Sequence, residues 1–504
     1  MCLHIRGEIW FLSFCSRAHN IGGYMSSNKK TLKITLIVLF ALAFAVIVGY
    51  IGYDKYMDLT TMGCHTMLFG IDVSYKPVEE AASIIEEQFL NRKISFVENG
   101  QELYNITLAE AGYSINDELL CQKLSSIRDD RKPCKLLWEP FTNYIINVQI
   151  DEKPEWLLSA VSEDRFGGAD TRQASQDAYL SYNNEAKHFE IIKEVLGNQI
   201  DSSRASTLTA ETIRSSMGKD GHDPLNGDII VEVTTDFYKP ADITNAQSGI
   251  VEEMNALNAK LDTYYNASVT YLFGSEVEVL DRTTLEPWIL IDGTTIRLDQ
   301  DAVRNYVAEL GSRYDTIYVP RNFHTSSGSD IVIDGNEYGY WIDEENEYAQ
   351  LLQELESGSV VNREPVYSHV GFSRNGRDDL NGNYVEVSIG AQHLWLYRNY
   401  GLVLETDVVT GKPTPERSTY TGAFPIAYKE SPSVLSSDIY GYETKVQYWM
   451  PFVYGQGLHD ASWRSSFGGN IYLSDGSHGC VNLPSWAAAT IYENVDANFP
   501  IILY

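Results

Sequence analysis

Cysteine is scarce in this chain. The 504 residues hold six, Cys2, Cys15, Cys64, Cys121, Cys134 and Cys480, too few for a disulfide-stapled scaffold. Cys121 and Cys134 can pair if their Cα atoms approach to about 5.5–6 Å; otherwise both stay thiols. Basic residues are also few: 38 Lys and Arg stand against 69 Asp and Glu, a formal net charge of −31. That excludes a nucleic-acid partner, because phosphate binding needs clustered Lys and Arg. It suits a soluble exposed protein, or one meeting cationic or zwitterionic substrates. Long apolar runs are confined to one stretch near the N-terminus. Tyrosine, by contrast, is plentiful at 33, as in β-rich folds and in surfaces that meet carbohydrate or peptide. The length calls for roughly three or four folded units.

Residues 1–24 carry no helix caps and no periodicity, whereas Met25 opens a conventional start, MSSNKKTLK. Codons for Ile21-Gly22-Gly23 can supply a purine-rich ribosome-binding sequence just upstream. Translation is therefore expected to begin at Met25, with residues 1–31 as the cytoplasmic N-terminus. Residues 32–53 are the expected transmembrane anchor. Ile34–Ile51 is free of charge and is as long as the roughly 18–20 residues that cross a bilayer core. Lys29, Lys30 and Lys33 precede it, which keeps the N-terminus in the cytoplasm and puts the acidic bulk outside. A cleaved signal peptide fits less well: the run is long for one, and no A-x-A site follows.

From Leu68 the pattern is that of mixed helices and strands. Gly70-Ile71-Asp72-Val73-Ser74 leads into a helix at Val78–Phe89, followed by strands and a helix at Leu119–Ile127. A related order returns from Lys260. Leu285-Glu286-Pro287-Trp288-Ile289 parallels Leu108–Tyr113, and Gln300–Leu310 parallels Leu119–Ile127. This points to an internal repeat with copies at 66–255 and 256–368. Phe323-His324-Thr325-Ser326-Ser327-Gly328 and Tyr338-Gly339-Tyr340-Trp341-Ile342-Asp343 close the second copy. The GIDVS, LEPWI, FHTSSG and YGYWID stretches resemble the peptidoglycan-binding domain found in tandem ahead of bacterial L,D-transpeptidase domains. The resemblance implies α+β modules that face the cell wall, either as binders or as a rigid stalk. Residues 369–382, rich in Arg, Asn, Gly and Asp, read as a linker.

Residues 383–504 carry closely spaced short strands, the pattern of an all-β sandwich or barrel. Within them lies Ser477-His478-Gly479-Cys480-Val481-Asn482. A cysteine attacks as thiolate, and a free thiol near pKa ~8.5 needs a base at neutral pH. His478 is two residues from Cys480, so the two share a side without facing each other. His459, 21 positions upstream, can approach from a separate strand and is the better base. Gly479 lets substrate come close, and the N–H groups of Gly479 and Cys480 are candidate oxyanion donors. Two blander readings compete: a small buried hydrophobe, and a zinc site of His459, His478 and Cys480 that lacks a fourth ligand.

His459-Asp460, a 16-residue gap and then Ser477–Asn482 resemble the signature of the YkuD-type L,D-transpeptidase catalytic domain. The flanks Trp449–Phe452, Trp463, Phe467-Gly468-Gly469 and Leu483-Pro484 agree, as do Tyr384–Val387, Gln392-His393-Leu394 and Val408–Gly411. The resemblance implies Cys480 as nucleophile and His459 as general base, with Ser477, His478, Gly479 and Asn482 shaping the site. It also implies a backbone carbonyl near Asp460 that orients the base, and no metal or cofactor. Asn482 stands where many members have Arg. The implied partners are peptidoglycan stem peptides, the cytoplasmic membrane through one helix, and carbapenem-type inhibitors. The implied reaction is 3→3 cross-linking through a Cys480 thioester. An L,D-carboxypeptidase, or a wall-binding protein with little catalysis, would carry much the same sequence. N-terminal mass spectrometry of the native protein is expected to return no peptide from residues 1–24; such a peptide would refute the start at Met25.

Overall fold

The computed structural model describes residues 29–131, 140–218, 223–437 and 441–504. The expected start at Met25 and Cys134 lie outside them. Lys29–Thr60 is one helix, and its Lys33–Met57 stretch is long and apolar enough, by length and composition, to cross a membrane. Its large side chains, Ile37, Phe40 and Phe44 among them, are exposed, and a bilayer would cover them.

The chain divides into two compact units, one of 1–178 with 194–244 and one of 179–193 with 245–504. In the first, the helix Val78–Leu90 buries Val78, Ala81, Ala82, Ile85 and Phe89 along one stripe. The same core takes in Ile94 and Phe96 of strand Lys93–Glu98 and Leu120 and Leu124 of helix Asp117–Asp130. Asn116 caps that helix, its side chain accepting from Leu119 N at 3.1 Å. Strand Lys93–Glu98 forms a hairpin with Gln101–Thr107 and pairs in parallel with Ile229–Glu232.

The second unit opens in the same order. Helix Ser248–Asn266 leads to the hairpin Ser268–Phe273 and Glu276–Leu280. Helices Gln300–Tyr314 and Glu344–Glu356 follow, and Val360–Arg363 returns parallel to the first hairpin strand. Both units thus build a three-stranded sheet with the returning strand beside the first. A division at 255/256 would cut the helix Ser248–Asn266, whose buried side chains are sparse before Leu261. The hairpin Tyr179–Asn183 and His188–Ile192 also falls in the second unit. There Phe189 N donates to Asn258 Oδ1 at 2.7 Å, and His188 Nε2 lies 2.9 Å from Asp262 Oδ1. The helix Ser202–Ser216 has no counterpart among the sequence expectations, because it is polar and buries only Ala205, Thr209 and Ile213.

Of the two states the sequence leaves open for Cys121, it is the free thiol and does not pair with Cys134; Cys64 is disulfide-bonded. One expectation needs correction: residues 369–382 are not a linker of solvated chain. Arg374 is buried and donates to Gly376 O and Tyr314 O, while buried Asp379 pairs with Arg321. Polar composition reads as solvated chain, but here the buried charges Arg374 and Asp379 have fixed partners.

The C-terminal domain has a five-stranded sheet in the order Gly401–Asp407, His393–Arg398, Tyr384–Ser388, Pro500–Leu503, Gly422–Pro425. A second sheet holds Trp449–Val453, Gln456–Asp460 and Val481–Leu483. Helix Ser485–Asn494 puts Ala487, Ala488 and Ile491 into the same core, so helix as well as sheet builds this domain.

One buried network offers a stability test. Glu347 is fully buried, accepts from Tyr271 Oη at 2.6 Å, and pairs with Arg363 at 2.7 Å. Glu347→Ala leaves Arg363 with only Glu354 as an acidic partner, 2.9 Å away. It should lower the unfolding free energy of this unit by about 3–5 kcal/mol in urea titrations. A loss below about 1 kcal/mol would mean that Glu354 alone compensates.

Candidate active site

The strand Gln456–Asp460 is buried along its whole length. It pairs antiparallel with Trp449–Val453, which sets Trp449 opposite His459. It pairs in parallel with Val481–Leu483, which sets His459 opposite Asn482. Cys480 immediately precedes Val481, so the register alone brings the turn of Ser477–Cys480 beside the histidine strand.

His459 is 4% exposed. Its Nδ1 lies 2.9 Å from the Asp460 carbonyl oxygen. A carbonyl only accepts, so Nδ1 carries the proton and Nε2 presents its lone pair. Trp463 stacks beside the ring at 5.8 Å and Trp449 lies at 6.1 Å. Burial among these groups pushes the imidazole pKa below its ordinary value, against a smaller opposing pull from Asp460. The ring is therefore neutral at pH 7, as a general base must be.

The Cys480 sulfur is 3.9 Å from the Gly455 carbonyl oxygen and receives the Gly457 backbone N–H. Burial raises the thiol pKa to about 11, and the Gly457 donor partly opposes this. Thiol and imidazole are thus both neutral at pH 7. The sulfur's hydrogen-bonding partners here are backbone groups. Catalytic contacts commonly tighten only around substrate.

The turn before Cys480 is held from several sides. Ser477 N donates to Thr410 O at 3.0 Å, and Lys412 N donates to Ser477 O at 3.1 Å. Ser477 Oγ donates to the Cys480 carbonyl and accepts from Gly479 N at 3.0 Å. Gly479 has φ +122°, and a Cβ there would come within 2.3 Å of Gln456 Nε2; only glycine suits the position. Thr419 Oγ1 donates to Gly479 O and accepts from Gly411 N, both at 2.8 Å. Fully buried Gln392 clamps Thr410 through bonds of 2.6 and 2.9 Å. Asn482 and Val409 exchange backbone bonds of 2.8 and 3.0 Å.

The structure brings six of the seven candidate residues, Cys480, His459, Ser477, His478, Gly479 and Asn482, into this turn and strand pair. Asp460 differs from the expectation of a pocket-shaping side chain. Its Oδ1 accepts from Gln447 N and Tyr448 N at 2.7 and 2.8 Å, and it reaches the site through its carbonyl. Gly479 N–H is already bound to Ser477, which removes it as an oxyanion donor. Cys480 N–H has no protein acceptor among the described residues. His478 is half-buried, and burial with nearby Arg417 pushes its pKa down. Asn482 is buried, and its side-chain oxygen has no hydrogen-bond partner among the described residues. Gln456 and Thr419 escaped the sequence reading, since a lone polar residue carries no signal of what it will grip.

Residues 382–503 match the family profile of the YkuD domain, the L,D-transpeptidase catalytic domain, and residues 251–362 match that of a peptidoglycan binding domain. The chain belongs to the YkuD-type L,D-transpeptidases, enzymes of the acyltransferase kind. Among solved structures it is similar to a cysteine-to-serine mutant of the Enterococcus faecium L,D-transpeptidase, 28% identical, covering 49% of this chain and 98% of that one, TM-score 0.43. It is also similar to the E. faecium catalytic domain alone and to that domain acylated by ertapenem. Each of these two is 36% identical and covers 25% of this chain and 98% of that one, TM-score 0.23. No curated protein matches the chain.

The raised thiol pKa has a direct check. In a His459→Ala variant, iodoacetamide should label Cys480 slowly at pH 7 and about tenfold faster per pH unit as the thiolate fraction climbs toward about 11. Peptide mapping separates this from Cys121. A rate that levels off by about pH 9 would contradict the buried-thiol assignment.

Proposed function

We propose that the chain is a membrane-anchored peptidoglycan L,D-transpeptidase that forms 3→3 cross-links. The observation that carries the reading is the His459 ring, held by the Asp460 carbonyl with Nε2 free, beside the Cys480 turn. His459 Nε2 takes the thiol proton as Sγ attacks the carbonyl of the third stem residue. Cys480 N–H donates to the oxygen that becomes negative. Collapse breaks the bond to the terminal D-Ala, whose amine takes the proton back from His459 and leaves a thioester on Sγ. The side-chain amine of a neighbouring stem then attacks. As the C–N bond forms and the C–S bond breaks, a proton passes through His459 to the sulfur.

The helix Lys29–Thr60 supports a single-pass anchor, with Lys29, Lys30 and Lys33 on the cytoplasmic side and the catalytic domain facing the wall. The shared strand order supports a second copy of the wall-binding module within 66–255, besides the one within 256–368. In the second unit, a cleft of about 970 Å³ is lined by Tyr182, Lys187, Tyr265, Arg282 and Glu286. Two cations beside one carboxylate, over paired tyrosine hydroxyls, suit a polar wall fragment.

Defined disaccharide tetrapeptides should yield dimers with the wild-type enzyme, and only trimmed tripeptide would reduce it to a carboxypeptidase. A carbapenem should add its mass to wild type and not to Cys480→Ala. His459→Ala should acylate ~10²–10⁴-fold more slowly near neutral pH; a loss under about threefold would transfer the base role to His478.

A further inference from the structure

Beside the Cys480 turn lies a surface that the acylation chemistry does not use. Tyr454 precedes Gly455, whose carbonyl oxygen is the one 3.9 Å from the sulfur. Its ring meets that of Tyr420 edge-on at 5.3 Å. Tyr420 N in turn donates to Oε1 of Gln456, the residue packed against Gly479. Both rings are solvent-facing, at 74% and 50% exposure. Tyr454 Oη donates to Glu337 Oε1 at 3.1 Å.

Glu337 does not come from the catalytic domain. It belongs to the segment between helices Gln300–Tyr314 and Glu344–Glu356, and Glu337 N docks on Ala423 O at 2.9 Å. Neighbouring Asn336 is buried and donates to Val319 O at 3.1 Å. Asn336 O accepts from Tyr318 N at 2.8 Å. Tyr318 pairs with Trp341 at 5.4 Å, and both rings are open to solvent. Tyr454 and Tyr318 are held at φ +43° and +61°, a left-handed conformation that bulky residues rarely adopt. Exposed rings, a carboxylate and two such backbones in one patch beside a nucleophile mark a binding surface rather than a packing accident.

The reaction needs two substrates, and only the second reacts through its side-chain amine. The attacking side-chain amine is an ammonium at neutral pH. A carboxylate at the mouth attracts it, and aromatic faces hold its stem. We propose that Glu337, presented on the Tyr420–Tyr454 pair, is the entry site for the acceptor stem peptide. The inference rests on the transpeptidase reading above and adds where the acceptor docks. Capture is electrostatic and precedes attack. One ammonium proton then leaves to water, and a second passes through His459 to Sγ as the amide forms.

The test uses the full chain in detergent with a disaccharide tetrapeptide as both donor and acceptor, its third residue lysine or diaminopimelate, whichever gives wild-type dimer. Glu337→Gln keeps the size of the side chain and removes its charge. The ratio of dimer to trimmed tripeptide should fall about tenfold, through a higher KM for the acceptor rather than a lower kcat. Raising the salt should weaken acceptor capture by wild type and leave the variant nearly unaffected. Carbapenem acylation of Cys480 reports that the variant is folded. An unchanged product ratio with equal salt dependence would overturn the entry site while leaving the transpeptidase reading intact. So would a Tyr454→Ala variant that slows donor acylation as much as transfer, because the surface would then hold the donor. Wild type that takes no carbapenem and forms no dimer would overturn both.

Discussion

The parallel pairing of Gln456–Asp460 with Val481–Leu483 is the constraint on which the site depends. It sets His459 opposite Asn482 and brings the Cys480 turn beside a strand buried on all sides. Burial does two things at once: it holds the imidazole neutral and raises the thiol. The Asp460 carbonyl fixes the tautomer without adding a charge.

The catalytic domain is also tied to the module before it in the second unit. Fully buried Glu386 accepts from Ser326 N, Ser326 Oγ and Tyr504 Oη at 2.9, 2.6 and 2.5 Å. Phe323, Ile333 and Tyr338 share a core with Ala423 and Ile502. A buried carboxylate with three donors is costly to expose, so this contact is specific. It explains why the FHTSSG and YGYWID stretches stand out in sequence. They carry residues that dock on the catalytic domain, and Glu337 stands next to the second of them.

The site was legible in the sequence to the extent that its chemistry is contiguous. Cys480, Ser477, Gly479 and Asn482 lie within six residues, and His459-Asp460 stands a short gap before them. The carbonyl of Asp460 could be anticipated, whereas the use of its side chain to hold Gln447 and Tyr448 could not. Gln392, Thr419 and Gln456 each act through two or more hydrogen bonds to residues distant in sequence, which no local pattern records. The expected repeat rested on the likeness of Leu285–Ile289 to Leu108–Tyr113, and its division at 255/256 falls inside a helix. Helix Ser248–Asn266 begins with little apolar periodicity, and helix Ser202–Ser216 is too polar to announce itself. The 369–382 segment reads as a linker because Arg374 and Asp379 look solvated until their partners Tyr314 and Arg321 are seen.

The central claim is that a stem peptide becomes covalently attached to Cys480 before transfer. Acid-quenching the enzyme during turnover of a disaccharide tetrapeptide, followed by mass spectrometry of the Cys480 peptide, tests it most directly. The account predicts an adduct on Cys480 with the mass of the disaccharide tripeptide, the terminal D-Ala having left. Product formation with that cysteine unmodified throughout, or the same adduct on another residue, would contradict it.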